Sequence, residues 1–161
     1  MRLRKFAPAA VISSCGAYRY FLSRQLGLDD LTVTFLGLNP STADATRDDP
    51  TIRRCIGFAR GWGGGTLQMV NLFALRSTNP RNLLAADDPI GSENDDWIDR
   101  AVSEADIVVA AWGVHGALRG RALEIASRFP KSLQVLGVTK AGMPRHPLYV
   151  ASTTPLRPFP Y

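Results

Sequence analysis

Four short apolar runs, at 32–38, 67–73, 106–112 and 133–138, alternate with stretches whose apolar residues recur at helical spacing. Near-continuous apolar runs of this length fit strands buried on both faces, and strands that alternate with helices build a parallel sheet. The spacing predicts a three-layer α/β/α domain around a central, mostly parallel four-stranded sheet. Between the first two runs, Asp49-Pro50 reads as an N-cap followed by proline at the first helical position. Ile52, Cys55, Ile56 and Ala59 then form one stripe, Arg53, Arg54 and Arg60 lie off it, and Gly61 is a stop signal. Before the third run, Ser92 is expected to cap a helix with an inner face of Trp97, Ile98, Ala101, Val102 and Ala105. Before the fourth, Leu118, Ala122, Ile125, Ala126 and Phe129 repeat the pattern and Pro130 ends it.

The outer segments are less regular. Residues 17–26 read as a strand or a short helix, and the alternation of Tyr18, Tyr20 and Leu22 favours the strand. Three prolines in the last nine residues predict an extended tail lying over the body. A chain of 161 residues is one domain. We divide it into an N-terminal extension at 1–30 packed on the sheet, the α/β body, and a Pro-rich tail at 151–161. With 45% hydrophobic and 20% charged residues, disordered and fibrous classes are excluded. No apolar run reaches the ~18 residues of a membrane span, and the basic start is not followed by a signal-peptide core. A cytoplasmic protein with no membrane partner is expected, and nothing points to a particular protein partner. Cys15 and Cys55 are too few for a four-ligand zinc site or an iron–sulfur cluster; they are expected as core thiols, with a single disulfide between them as the alternative.

The net charge of +5 conceals an asymmetry. Residues 87–106 carry eight acids and one base, so the rest of the chain, with 18 bases and six acids, stands at +12. Sixteen of the 19 bases are arginine. The guanidinium fork suits phosphate, so nucleic acid or a nucleotide is the expected partner. An arginine bias of a GC-rich genome accounts for the same composition. The acidic segment reads as a solvated helix face.

In a parallel sheet, ligands bind beyond the carboxyl ends of the strands. Those ends carry Gly37-Leu38-Asn39-Pro40-Ser41, Asn71, Trp112-Gly113-Val114-His115 and Arg145-His146-Pro147-Leu148. Asn71 interrupts an apolar run, and a buried amide costs a few kcal/mol unless partnered. Its two donors and one acceptor match a nucleobase edge, although a structural bond to a loop is the plainer account. Asn39, held extended by Pro40, is placed to aim a water or a ligand group, or simply to form a turn. His146 sits in a Gly/Pro-rich loop suited to presenting a donor to an anion. His115 is the weaker candidate. The glycine-rich 61–66 segment lacks the Gly-Lys-Ser/Thr of a P-loop, and no Gly-x-Ser-x-Gly elbow or dinucleotide fingerprint is present. Asp44, Asp48 and Asp49 read as caps and solvated charge, so no metal and no cofactor are expected.

Several strings carry a resemblance. Tyr18-Arg19-Tyr20, Gly-Leu-Asn-Pro-Ser-Thr-Ala-Asp at 37–44, Asp-Asp-Pro-Thr-Ile-Arg-Arg-Cys at 48–55, Val-Asn-Leu-Phe-Ala-Leu-Arg at 70–76, Ala-Ala-Trp-Gly at 110–113 and Pro-Arg-His-Pro-Leu-Tyr at 144–149 resemble an uncharacterised bacterial domain-of-unknown-function family. More distantly, the chain resembles the uracil-DNA glycosylase superfamily. Its members share a four-stranded parallel sheet and a first motif of the form Gly-x-Asn-Pro or Gly-x-Asp-Pro. A later strand Asn and a last motif beginning His-Pro complete the pattern. Here Gly37-Leu38-Asn39-Pro40, Asn71 and His146-Pro147 stand in that order. Leu148-Tyr149 follow where many members have Ser, and the four cysteines of the iron–sulfur members are absent.

The resemblance implies a base-excising N-glycosylase acting on modified bases in DNA. Asn39 would position the attacking water, Asn71 would read the base, and His146 would stabilise the departing base. Pro40, Ser41, Trp112, Arg145 and Leu148 are the further candidates for substrate contact, with Leu148 near the place of a strand-inserting side chain. A non-catalytic nucleic-acid or nucleotide-binding protein of the same fold, or an enzyme on free nucleosides or nucleotides, are the alternatives.

Overall fold

The chain enters its sheet through β1 (Ala10–Ile12) and β2 (Arg19–Gln25), then runs through β3 (Thr32–Gly37), α1 (Pro50–Gly61) and β4 (Thr66–Asn71). The short α2 (Arg81–Ala85) and α3 (Asn94–Glu104) lead to β5 (Ile107–Ala110), and α4 (Arg121–Arg128) leads to β6 (Leu133–Val135) and the edge strand β7 (Arg157–Pro158). The computed structural model describes residues 8–160. Residues 1–7 of the expected N-terminal extension and Tyr161 lie outside the described residues.

The four apolar runs become β3, β4, β5 and β6, all parallel, in the spatial order β4-β3-β5-β6. Among the described residues the sheet has seven strands rather than the expected four. β2 pairs antiparallel to β4 and β1 to β2 at one edge, and β7 pairs antiparallel to β6 at the other. The residues 17–26 therefore resolve as a strand. The tail does run extended, but it is hydrogen-bonded into the sheet edge, the one place where a strand tolerates Pro158. β1 and β7 escape the apolar pattern because they have only three and two residues and lie at the rims.

Residues alternate between two cores, as the strand period of two demands. Leu36, Val70, Val108 and Ala110 face one side, where Ile98 and Ala101 of α3 and Ala122, Ile125 and Ala126 of α4 cover them. Val33, Phe35, Leu67, Met69 and Val109 face the other, under Ile52, Cys55, Phe58 and Ala59 of α1. That is the three-layer arrangement the spacing predicts. One buried polar pair crosses the sheet: Thr34 Oγ1 and Gln68 Oε1 are 3.0 Å apart.

Asp49 caps α1 through its side chain, accepting from Ile52 N at 2.9 Å, with Pro50 at the first helical position. The cap of α3 differs from expectation. Ser92 is exposed in a turn, and Glu93 takes the N-cap position without a side-chain bond. The helix starts later because Asn94 is drawn wholly into the core to serve backbone carbonyls. Acids on the outer faces of α3 and α4 are partly answered by bases. Asp95 and Glu124 pair with Arg121, Asp99 with Arg128, and Glu104 with Arg100. Both cysteines are free thiols, but only Cys55 is buried; Cys15 is exposed, because it lies in the turn before β2. Among the described residues no helix is long and apolar enough to cross a membrane.

Candidate functional site

A cleft of about 380 Å³ opens at the carboxyl ends of β3, β4 and β5. It gathers Asn39, Pro40 and Ser41 from the loop after β3, Asn71 from the last position of β4, and Trp112 and His115 from the segment after β5. His146 and Leu148 come from the loop after β6. Arg145 is not part of the lining. It points outward and its Nε donates to Val138 O at 3.4 Å, because successive residues of an extended loop face opposite ways.

Asn71 is 2% exposed, and its Nδ2 has no hydrogen-bond partner among the described residues. The backbone around it is held firmly. Asn94 Nδ2 donates to Asn71 O at 2.9 Å and Leu72 O at 3.1 Å, and Arg121 Nε donates to Leu72 O at 2.8 Å. The main chain at the end of β4 is thus satisfied, while the side-chain donor of this cleft residue stays buried without a partner among the described residues. An unmet buried donor costs about 1–3 kcal/mol, so a ligand acceptor is the group it lacks.

Asn39 divides its functions between its two amide atoms. Nδ2 donates to the carbonyls of Ser77 at 2.9 Å, Pro40 at 3.2 Å and Leu75 at 3.3 Å. With the nitrogen committed to the scaffold, Oδ1 is fixed as an acceptor at the cleft. A bound water or hydroxyl is the natural donor to it.

His146 is set by its own loop. Its Nδ1 accepts from Leu148 N at 3.2 Å, so in the neutral ring the proton sits on Nε2. Burial holds the imidazole pKa below its ordinary value, and the nearby charge of Asp49 opposes that shift. The neutral ring therefore offers an N–H donor at neutral pH. Three anchors fix the loop. Gly113 N donates to Pro144 O at 3.0 Å and Arg145 N to Gly137 O at 2.9 Å, while Arg54 of α1 donates to the carbonyls of Pro147 and Val150. Gly113 has φ of 73°, which favours glycine, and this is why Trp112-Gly113 ends the third run.

Sequence reasoning assigned no role to Arg19, Asn94, Arg121 or Arg54. Arg19 is the most consequential. It begins β2, and because β2 runs antiparallel to β4, its first residue arrives beside the carboxyl end of β4 and lines the cleft. It is 2% exposed, its Nη1 donates to Ala43 O at 3.0 Å, and its Nε has no partner among the described residues. Burial pushes its pKa down to about 10, still cationic at neutral pH, with Asp49 opposing the shift. Trp112 is buried with Nε1 unpartnered and stands edge-on to Phe159 at 6.0 Å between centroids. The available signal was an arginine inside the apolar alternation of residues 17–26. Among the described residues, no group of three or more His, Cys, Asp or Glu is placed to hold a metal.

Comparison with curated proteins and with solved structures returns no match, so neither points to the uracil-DNA glycosylase superfamily. A scan against protein families matches residues 19–148 to a family described as "Protein of unknown function (DUF1643)". That match begins at Arg19, ends at Leu148 and contains every cleft side chain named above, and the chain therefore belongs to this family of proteins of unknown function.

Proposed function

We propose that the protein is an N-glycosylase that hydrolyses the bond between a nucleobase and its sugar, with a modified base in DNA as its substrate. The observation that carries this reading is the unpartnered Nδ2 of Asn71, 2% exposed, lining one cleft with the Nε2 donor of His146 and the Oδ1 acceptor of Asn39. Asn71 donates to an acceptor on the base edge. Asn39 Oδ1 accepts from a water and holds its oxygen towards the sugar carbon. As the C1′–N bond breaks, its electron pair passes to the base, and His146 donates to the negative charge that develops there. The water oxygen bonds to C1′, and its proton leaves to the base or solvent.

Asparagine is a weak base, but a dissociative bond cleavage asks for a positioned water more than for a strong base. A cleft of about 380 Å³ lies near the lower end of the ~300–1,000 Å³ range of ligand sites, enough for one nucleotide unit. A base in a strand must therefore leave the stack to enter, at a cost of a few kcal/mol in a duplex and less in a single strand. Exposed Leu148, Tyr149 and Val114 on the rim provide apolar surface for the strand left behind.

Base release tests the reading. Wild type and Asn39→Ala are incubated with labelled single- and double-stranded oligonucleotides carrying uracil, hypoxanthine or xanthine. Alkali-labile sites formed by wild type, with turnover lowered in Asn39→Ala more than binding is, are expected. Absence of any product across the panel refutes the activity and leaves a binding protein of the same fold or an enzyme on free nucleosides or nucleotides.

A further inference from the structure

We infer that Arg19 is the anion receptor of the cleft and that the ligand carries a terminal phosphoryl group which this guanidinium holds. The argument starts from cost. A buried cation without a partner loses several kcal/mol of solvation, so natural proteins pair it. Arg19 is 2% exposed, yet no carboxylate of the described residues lies within ion-pair distance of it, and of its donors only Nη1 is engaged, by Ala43 O. The charge of Asp49 reaches it, but the Asp49 oxygens are used by Ile52 N at 2.9 Å and Ala43 N at 3.4 Å. Arg19 lines the cleft, and its Nε remains buried and unpartnered among the described residues. A planar fork with a free N–H edge is the shape that binds phosphate through two parallel bonds.

Burial also selects the kind of phosphate. A backbone diester must continue in both directions away from its phosphorus, and a guanidinium with 2% exposure leaves no room for two exits. A terminal phosphoryl needs only one. The unpartnered Asn71 Nδ2 lines the same cleft, so a ligand with a phosphoryl at one end and an acceptor-bearing ring at the other satisfies both orphans. A nucleoside monophosphate has that form, and so does the 5′-phosphorylated end of a DNA strand, which narrows the DNA substrate of the reading above to a base at a strand end. The phosphoryl assignment stands on Arg19 alone; only the identity of the attached ring rests on the nucleobase reading above.

The test is titration calorimetry on the full chain with inorganic phosphate, deoxyribose 5-phosphate, nucleoside monophosphates with their parent nucleosides, and a short single-stranded oligonucleotide with and without a 5′-phosphate. Arg19→Met and Arg19→Lys are titrated alongside. Phosphate and the sugar phosphate are expected to bind wild type, with affinity at least about tenfold weaker in Arg19→Met and partly kept in Arg19→Lys. Each monophosphate is expected to bind at least about tenfold more tightly than its nucleoside, and the 5′-phosphorylated oligonucleotide more tightly than the unphosphorylated one. Because Arg19 also supports Ala43 O, its Nε–H resonance in wild type is followed as well, and it is expected to move on addition of phosphate. Absence of phosphate binding, binding that ignores Arg19 or an unmoved Nε–H resonance overturns the assignment. An Arg19-dependent affinity that is equal with and without the 5′-phosphate overturns the terminal phosphoryl in favour of a diester. Sugar-phosphate binding with no gain from any base would retain the phosphoryl site and refute the nucleobase reading, so the two fail separately.

Discussion

The side chain of Asn71 occupies the space a Cβ would need on Gly37. β3 and β4 pair these two residues in register at their carboxyl ends, and a Cβ on Gly37 would stand 2.7 Å from Asn71 Oδ1 and 2.8 Å from Met69 Cε. The glycine that opens the Gly37-Leu38-Asn39-Pro40 string is thus explained by its neighbour across the sheet, since its own backbone is ordinary extended strand.

Gly37→Ala follows from this directly. The added methyl pushes Asn71 and Met69 aside, an overpacking that costs about 1–3 kcal/mol. The expected outcome is a modest fall in urea stability with a loss of ligand binding or turnover of tenfold or more. Full binding in the variant would show that the position of Asn71 is immaterial.

Arg54 reaches from α1 to the carbonyls of Pro147 and Val150, with its guanidinium 5.4 Å from the Phe58 ring centre. Hydrogen bonds to a charged group contribute roughly 1.5–3 kcal/mol each. Arg54→Ala is expected to loosen the His146 loop with the sheet intact. Hydrogen exchange would then quicken at Leu148 and Tyr149 while the β3 and β4 amides keep their protection. Equal loss of protection in both places would mean that Arg54 serves the whole fold.

His146 supplies a pH signature. Its folded pKa lies below the ordinary 6.5, so as pH falls the unfolded chain takes the proton first. Its contribution to stability is complete above pH 6.5 and is lost as pH drops through the lowered folded value. Protonation also places a hydrogen on Nδ1 and removes the acceptor for Leu148 N. A pH profile of kcat/KM should show an acid limb below 6.5 that His146→Gln abolishes. Asp49→Asn keeps a competent helix cap and removes the charge that raises this pKa, so it should move the limb to lower pH. A limb that stays in place in Asp49→Asn would sever the link.

Much of this was legible in the residues. The four parallel strands and both layers of helices follow from apolar runs and helical stripes, because burial on one or two faces leaves a period in the sequence. Asn39, Asn71, His115 and His146 were legible because ligands gather at the carboxyl ends of parallel strands. Arg19 was not, since that rule passes over a strand that joins the edge antiparallel and brings its first residue to the same end. Ser92 misled because a good capping residue yields when Asn94 gains two buried carbonyls. Arg145 falls outside the cleft lining because its neighbour His146 faces the cleft and an extended chain turns adjacent side chains apart.

The central claim is that Asn71 is held for a ligand and not for the fold, and Asn71→Leu tests it most directly. Leucine has nearly the same shape and removes a buried donor that the described residues leave unpartnered. Thermal unfolding and base release are measured on the same preparations of wild type and variant. The account predicts a melting temperature equal to or above that of wild type, with base release reduced by two orders of magnitude or more. A variant that melts several degrees lower while releasing base at the wild-type rate would contradict it and make Asn71 a structural amide.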